Sequence, residues 1–377
     1  MEYTSTQKFK IEEITLSHIK KLTNDRGIEK SCNENEVDLN SEYCIDDNAH
    51  ALIALINHYE LTKDRSDLLL IDIYLNFIKL YPIKNNTVNN NSENFKNSHS
   101  DSLNINNENN QISLGRSIWA IGEFISRANL FDSHQLNKAE EIFKNNLFHI
   151  EKLNSIYAIA YTIKGLYRYN LSNKKTAIKE KIKLLANNLI SKYYTAETNE
   201  IKWFKNELSF KDSVLSESLL YAYLETANEH YKIIAENSFE YLLSESFNDL
   251  KMNTSPEKYY YINEYNQILF HNYSTDVSNT ILALDLFYEV FNKKEYWDKL
   301  EIGFSWFNGN NKLNKLMYNK NSGGCCNELK NDSEKINENA GPTTAYLIAR
   351  LAIEKHFGKD KEENMMNKSF APAISIY

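Results

Sequence analysis

The 377-residue sequence contains few residues of the kinds that end helices or build tight turns. It has only 10 glycines and 4 prolines, whereas 42% of its residues are hydrophobic. Folds made of many short strands need more glycine and proline in their turns, so this composition argues against an all-β protein. A chain of this length with so many apolar residues can bury a large core, and we predict a single domain over residues 1–377.

The sequence also lacks the features of nucleic-acid-binding, membrane and secreted proteins. Its formal charge is -8, and its lysines are spread among acidic residues, so no basic patch for nucleic acid is predicted. No apolar run reaches the length of about 18 residues that suggests a membrane span, and no signal-type segment opens the sequence. The four cysteines follow neither a disulfide nor a zinc-binding pattern, which predicts a cytoplasmic protein without a metal or other cofactor.

Apolar residues recur at helical spacing through most of the sequence. The pattern predicts twelve helices, near residues 8–24, 46–60, 65–81, 114–129, 135–149, 154–170, 174–194, 212–226, 229–247, 274–291, 294–307 and 340–357. Twelve helices can form six antiparallel hairpins, and no repeat with the period of an open solenoid is present. We therefore predict an all-α (α/α)6 toroid, with six hairpins around a central cavity, and keep an open helical superhelix as the alternative.

Three long connections interrupt this pattern. Residues 84–112 are dominated by asparagine and serine, which predicts a flexible loop or a lid. Residues 250–272 are rich in tyrosine and predict a short β-hairpin near the mouth of the cavity. Residues 308–339 are mostly polar but include glycines and aromatic residues, which favours a loop folded over the same mouth.

Two adjacent aspartates open the second predicted helix. Asp46 and Asp47 stand at its start, and Asn48 and His50 follow. The positive end of a helix dipole favours carboxylates there, so capping is one interpretation. The other is that Asp46 and Asp47 point into the cavity as acid and base, while Asn48 and His50 contact a sugar.

The segment from Gly115 to Gly122 places two glycines inside a predicted helix. Glycine costs roughly 1 kcal/mol against alanine in a helix, so this spacing predicts close contact with a neighbouring helix. Arg116 and Trp119 lie three residues apart and therefore share a face. Their functional interpretation is a clamp for an anion or carboxylate beside an aromatic platform for a sugar ring.

A third cluster lies before the eighth predicted helix. Trp203 and Glu207 precede that helix, and Asp212 or Ser213 is a candidate for its N-cap. Glu207 is the candidate for a second carboxylate in the cavity, and Trp203 for a second aromatic platform. Two carboxylates about 6.5–9.5 Å apart would favour inverting glycoside hydrolysis, and about 5–5.5 Å retaining hydrolysis.

In order and spacing, these clusters resemble a bacterial and archaeal family of six-hairpin toroids that are glycosyltransferases or accompany them. The resemblance is carried by residues 43–52, 115–122, 203–204 and 322–325, and by Asn337, Asn339 and Gly341. It implies a protein that processes or binds an oligosaccharide or glycoconjugate, with Asn337 and Asn339 among the binding residues. It also implies a glycosyltransferase as a protein partner.

The chain departs from that family at several positions where acidic or basic groups are expected. His50 stands where the family has arginine, and Lys205 where it has glutamate. Pro342 follows Gly341, where the family has glutamate, and no nucleotide-sugar domain is predicted. Because several carboxylates suited to acid–base chemistry are missing, a catalytically inactive scaffold that binds a glycan or a partner protein is the alternative function.

Overall fold

The computed structural model of the chain describes residues 14–30, 43–80, 107–196, 202–205, 212–247, 251–252, 261–262, 268–269, 273–329 and 338–369. Within these residues the chain forms twelve α-helices and one short antiparallel ribbon. The helices are α1 (Ser17–Leu22), α2 (Ile45–Thr62), α3 (Ser66–Leu80), α4 (Glu108–Ser126), α5 (Ser133–Leu147), α6 (Ile156–Asn173), α7 (Thr176–Ala196), α8 (Ser213–Thr226), α9 (Glu229–Ser246), α10 (Ser274–Phe291), α11 (Lys294–Ser305) and α12 (Ala340–Ser369), and the strands are β1 (Tyr261–Ile262) and β2 (Ile268–Leu269).

The helices alternate between an inner and an outer position in a closed ring. The six inner helices are α2, α4, α6, α8, α10 and α12. Each contacts the next inner helix, and α12 contacts α2, so the inner ring closes. The outer helices α3, α5, α7, α9 and α11 each pack on the inner helix that precedes them, and α1 packs on α12. This closure confirms the (α/α)6 toroid and eliminates the open superhelix.

The two ends of the ring differ in the length of their connections. Each of the inner helices α2, α4, α6, α8 and α10 is followed by a short connection, such as residues 174–175 between α6 and α7, whereas longer segments, such as residues 306–339, lead into the inner helices. Helices joined by short turns run antiparallel, so all inner helices share one direction. We call the end with their N-termini the long-loop end, and the other the short-turn end.

The turns at the short-turn end are built without glycine. The residues that follow α2, α6, α8 and α10 are Lys63, Lys174, Ala227 and Asn292, with φ angles between 46° and 57°. Each donates its backbone N–H to the carbonyl group four residues earlier, which completes the helix end. Glycine adopts this conformation with less strain, so the scarcity of glycine in the sequence does not prevent these four turns from sharing one geometry.

The long connections agree in part with their predicted structures. β1 and β2 pair in the register Tyr261–Leu269 and confirm the hairpin within 250–272. Residues 107–112 belong to α4, which therefore begins six residues earlier than its apolar pattern predicts, because Asn107 caps the helix by accepting the backbone N–H of Asn109. The rest of the asparagine-rich segment, residues 84–106, lies outside the described residues. In the described part of the chain, no helix has the length and apolar character needed to cross a membrane.

Candidate functional site

One stripe of side chains on each inner helix faces the axis of the ring. On α2 the stripe runs through Asp46, His50, Ile53 and Asn57, at intervals of three and four residues. Ile53 and Asn57 line a cavity at the short-turn end. The earlier members, Asp46 and His50, therefore lie toward the long-loop end.

A buried ion pair fills the middle of the ring. Lys164 of α6 lies 2.8 Å from Glu217 of α8, and both side chains are 2% exposed. The Lys164 ammonium also lies 4.0 Å from the ring centroid of Trp119, and the ring of Tyr161 stacks on that of Trp119 with a centroid distance of 5.7 Å. Lys164, Glu217 and Trp119 line the cavity at the short-turn end. We call that cavity the short-turn compartment, and the interior around Asp46, His50 and Arg116 the long-loop compartment.

The long-loop compartment contains an ion pair between two predicted site residues. Arg116 of α4 donates to Asp46 of α2 at 2.5 Å, and its guanidinium lies 5.0 Å from the ring centroid of Tyr161. The side chains of Arg116 and Asp46 remain 23% and 28% exposed. In the described part of the chain, Oδ1 of Asp46 and Nε of Arg116 are buried without a hydrogen-bond partner. Such unsatisfied groups cost about 1–3 kcal/mol each, a cost that a bound hydroxyl group can remove.

His50 lies beside this pair as an uncharged imidazole. Its ring is 5.8 Å from that of Trp119 and is buried within the compartment. Burial, together with the charges of Arg116 and Lys164, lowers the pKa of His50 well below its usual value. A neutral imidazole carries one hydrogen-bond donor and one acceptor. No described residue forms a hydrogen bond with the imidazole of His50.

Asp47 differs from its neighbour Asp46 in its surroundings. Burial raises the pKa of Asp47, and its backbone N–H donates to the sulfur of Cys44. A Cβ atom on Gly341 would lie 2.9 Å from Oδ1 of Asp47, so the start of α12 packs directly on this carboxyl group. Two adjacent aspartates thus occupy different environments, one paired with arginine and one desolvated.

The Asp47→Asn variant is expected to be more stable than the wild type at neutral pH. Because the pKa of Asp47 is raised above 3.8, the folded protein holds this proton more tightly than the unfolded chain does. The resulting stabilisation is fully present below pH 3.8 and is lost as the pH rises through the raised pKa. Urea denaturation should therefore show an advantage of the variant that grows from pH 4 to pH 7, and a constant difference would contradict this.

A second buried carboxylate organises the neighbouring sector of the long-loop end. Asp212 accepts hydrogen bonds from the Tyr157 hydroxyl group at 2.5 Å and from the Trp203 indole at 3.1 Å, and it lies 3.1 Å from the Lys205 ammonium. Asp212 is the N-cap residue of α8, as predicted, but its carboxylate makes no capping hydrogen bond. Tyr157 could not be predicted as a partner of Asp212, because it lies 55 residues away on α6. Lys205 was noted in the sequence only as a departure from the family.

The structure gives the other predicted site residues different surroundings. Asn48 is fully buried and hydrogen-bonds to the backbone of Ile28 and Cys44, so both ends of its side chain are engaged in holding the N-terminal segment. Trp203 has no exposed surface, so in this structure its ring supports Asp212. Asn339 is half-buried immediately before α12. Glu207 and Asn337 lie outside the described residues.

The chain is similar to solved structures but not to known families by sequence. No protein-family model and no curated protein matches it. A D-mannose isomerase superposes with a TM-score of 0.63 at 11% identity, covering 89% of this chain and 93% of the isomerase. A cellobiose 2-epimerase from Bacillus thermoamylovorans gives a TM-score of 0.62 at 11% identity, covering 90% and 96% of the two chains.

A glycoside-cleaving protein has the same fold. The α-1,6-mannanase of a Salegentibacter species superposes with a TM-score of 0.59 at 12% identity, covering 88% of this chain and 94% of the mannanase. At these identities the similarities establish the (α/α)6 toroid fold.

Proposed function

We propose that the chain binds the end of an oligosaccharide or glycoconjugate in the long-loop compartment. The observation that carries this proposal is the convergence of Asp46, Arg116 and His50. Oδ1 of Asp46 and Nε of Arg116 are buried without a hydrogen-bond partner among the described residues, and the imidazole of His50 is buried close enough to feel the charge of Arg116. Carboxylate, guanidinium and neutral imidazole together offer acceptors and donors, which suits the hydroxyl groups of a sugar because each hydroxyl both donates and accepts.

The ion pair in the middle of the ring limits the depth of this compartment. Lys164, Glu217 and Trp119 are buried among the inner helices, and we infer that they close the axis below His50 to a saccharide chain. The ligand therefore enters from the long-loop end and presents one terminus or one short segment. Tyr161 and Trp119 are buried at the bottom and shape the floor beneath the polar groups.

The two groups suited to proton transfer are Asp47 and His50. Burial favours the protonated form of Asp47 and the neutral form of His50, which are the states of a general acid and a general base. The two residues are three positions apart on α2 and so lie on neighbouring parts of one helix face. We infer that any sugar chemistry at this site uses Asp47 to donate a proton and His50 to accept one.

The similar structures support a saccharide as ligand. They include sugar isomerases and epimerases, and a mannanase variant with two neighbouring aspartates replaced, described as inactive and in complex with α-1,6-mannotetrose. This chain also has an adjacent aspartate pair in the ring. The sequence resemblance also predicts that the chain is related to glycosyltransferases and that it has a glycosyltransferase as a partner. Both statements stay predictions.

The proposal predicts that Asp46→Asn weakens saccharide binding. A glycan array first identifies a retained saccharide, and calorimetry then measures its dissociation constant. Loss of the carboxylate charge and of the ion pair to Arg116 should raise that constant by at least about tenfold, which corresponds to 1.4 kcal/mol. Asp72→Asn is the matched control, because Asp72 lies on outer helix α3 in a partly exposed ion pair. Equal affinity of the Asp46→Asn variant and the wild type would refute the site.

A glycan-binding protein without catalysis is the second candidate function. It is favoured by the engagement of two interior carboxylates, Glu217 by Lys164 and Asp212 by Lys205, since a paired carboxylate is not free to act as a base. To distinguish an enzyme from a glycan-binding protein, the purified chain is incubated with the retained saccharide and the products are followed by NMR. Cleavage, epimerisation or transfer that is lost in Asp47→Asn supports an enzyme, whereas binding without turnover supports the glycan-binding protein.

A further inference from the structure

The short-turn compartment contains a cluster of potential metal ligands. Asp285 and Glu289 lie four residues apart on α10, one helical turn, and His356 approaches them from α12. One ligand atom from each residue falls within 4.8 Å of the others, and Nε2 of His356 is 2.5 Å from Oδ1 of Asp285. Two adjacent inner helices therefore bring two carboxylates and one imidazole to one point.

We propose that Asp285, Glu289 and His356 bind a divalent first-row transition-metal ion. Mixed carboxylate and imidazole ligands suit ions such as Mn²⁺, Co²⁺ and Zn²⁺. Ligand atoms about 2.0–2.2 Å from an ion are separated from one another by roughly 3 Å, so the Asp285–His356 contact must widen by about half an ångström when the ion enters. The ion then takes the place of the proton in this hydrogen bond.

The surroundings of the cluster suit an ion with open coordination positions. Asp285 and Glu289 line a cavity of about 50 Å³, which is room for about three water molecules that can complete the coordination. The rings of Trp297 and Tyr288 lie 5.2 and 5.9 Å from that of His356, so the imidazole is held in one orientation. The C-termini of inner helices also lie at the short-turn end, and the negative ends of their dipoles favour a cation.

The other charges of the compartment decide how strongly the ion binds. Glu123 pairs with both Arg127 and Arg168, with N–O distances of 2.6 and 3.0 Å, and Glu60 also pairs with Arg127 at 2.8 Å, so two carboxylates balance the two guanidinium groups. Glu289 is exposed and forms no ion pair in the described part of the chain, so its carboxylate oxygens are available to an ion. Lys355 lines the same cavity, and its positive charge weakens the site.

The test is a titration of the metal-free full chain with Mn²⁺, followed by the EPR signal of the free ion. We expect one Mn²⁺ per chain, an affinity at least about tenfold weaker in Glu289→Gln, and an affinity that is higher in Lys355→Met than in the wild type. Pulsed EPR of the bound ion should show coupling to an imidazole nitrogen, and His356→Gln should abolish that coupling.

Two variants serve as matched controls. Glu141→Gln removes an exposed carboxylate on outer helix α5, and His149→Gln removes an imidazole outside the compartment. Both should bind Mn²⁺ like the wild type. Absence of stoichiometric binding, or equal affinity of Glu289→Gln and the wild type, would overturn the proposal. Glu289 is exposed, so its substitution does not threaten the fold, and circular dichroism confirms this.

Discussion

Replacement of Lys164 by methionine is expected to lower the free energy of unfolding by about 3–5 kcal/mol. Lys164 and Glu217 are both 2% exposed, and the substitution leaves the Glu217 carboxylate buried without its cation. The ammonium also lies over Trp119 at 4.0 Å, so the cation–π contact is lost with the ion pair. Urea denaturation followed by circular dichroism measures the change.

The double variant Lys164→Met/Glu217→Leu distinguishes two contributions to the free energy of unfolding. One is the cost of a buried charge without a partner, and the other is the stabilisation that the ion pair provides. Two apolar side chains of similar volume leave no buried charge, so most of the lost stability should return. A single variant as stable as the wild type would show that water reaches Glu217. A double variant as unstable as the single variant would show that the ion pair itself, and not its desolvation, holds the inner ring together.

Substitution of Gly165 by alanine is expected to destabilise the protein by about 3 kcal/mol, the upper end of the usual cost of overpacking. A Cβ atom at Gly165 would lie 2.3 Å from the carbonyl oxygen of Ile118 and 2.6 Å from the backbone nitrogen of Trp119. These are backbone atoms of α4 that no rotamer change can move away. The two helices must separate, and this displaces Arg116 and Trp119 together, so saccharide binding should weaken in the same variant.

Gly303→Ala is the matched control for this prediction. Gly303 lies within α11, and a Cβ atom there would meet no atom closer than 3.5 Å. Alanine is therefore accommodated at Gly303 and gains up to about 1 kcal/mol from its helix propensity. If Gly165→Ala were as stable as Gly303→Ala by thermal denaturation, the close approach of α4 and α6 would be refuted.

The helical pattern of the sequence was enough to predict most of the fold. Apolar residues at three- and four-residue spacing placed all twelve helices, and ten glycines among 377 residues excluded the turn-rich alternatives. Gly115 and Gly122 predicted a close helix contact, and the structure places it against α6. These features are local. The spacing of apolar residues along a helix, and the small residues needed where two helices cross, can both be recognised within a short stretch of sequence.

The site was predictable only where its residues lie on one helix. Asp46 and His50 share a face of α2, and Arg116 and Trp119 share a face of α4, so each pair could be recognised by spacing. The contact between the two pairs could not be predicted from the sequence, because it depends on how α2 packs against α4.

The sequence by itself determined that this chain is helical, that its helices pair, and that polar groups open the second helix. Only the tertiary structure decided that the ring closes, that Lys164 and Glu217 form an ion pair in its interior, and that Asp285, Glu289 and His356 meet at the short-turn end. The reason is physical. A helix specifies its own faces through local spacing, whereas partners more than fifty residues apart meet only when every intervening helix has packed.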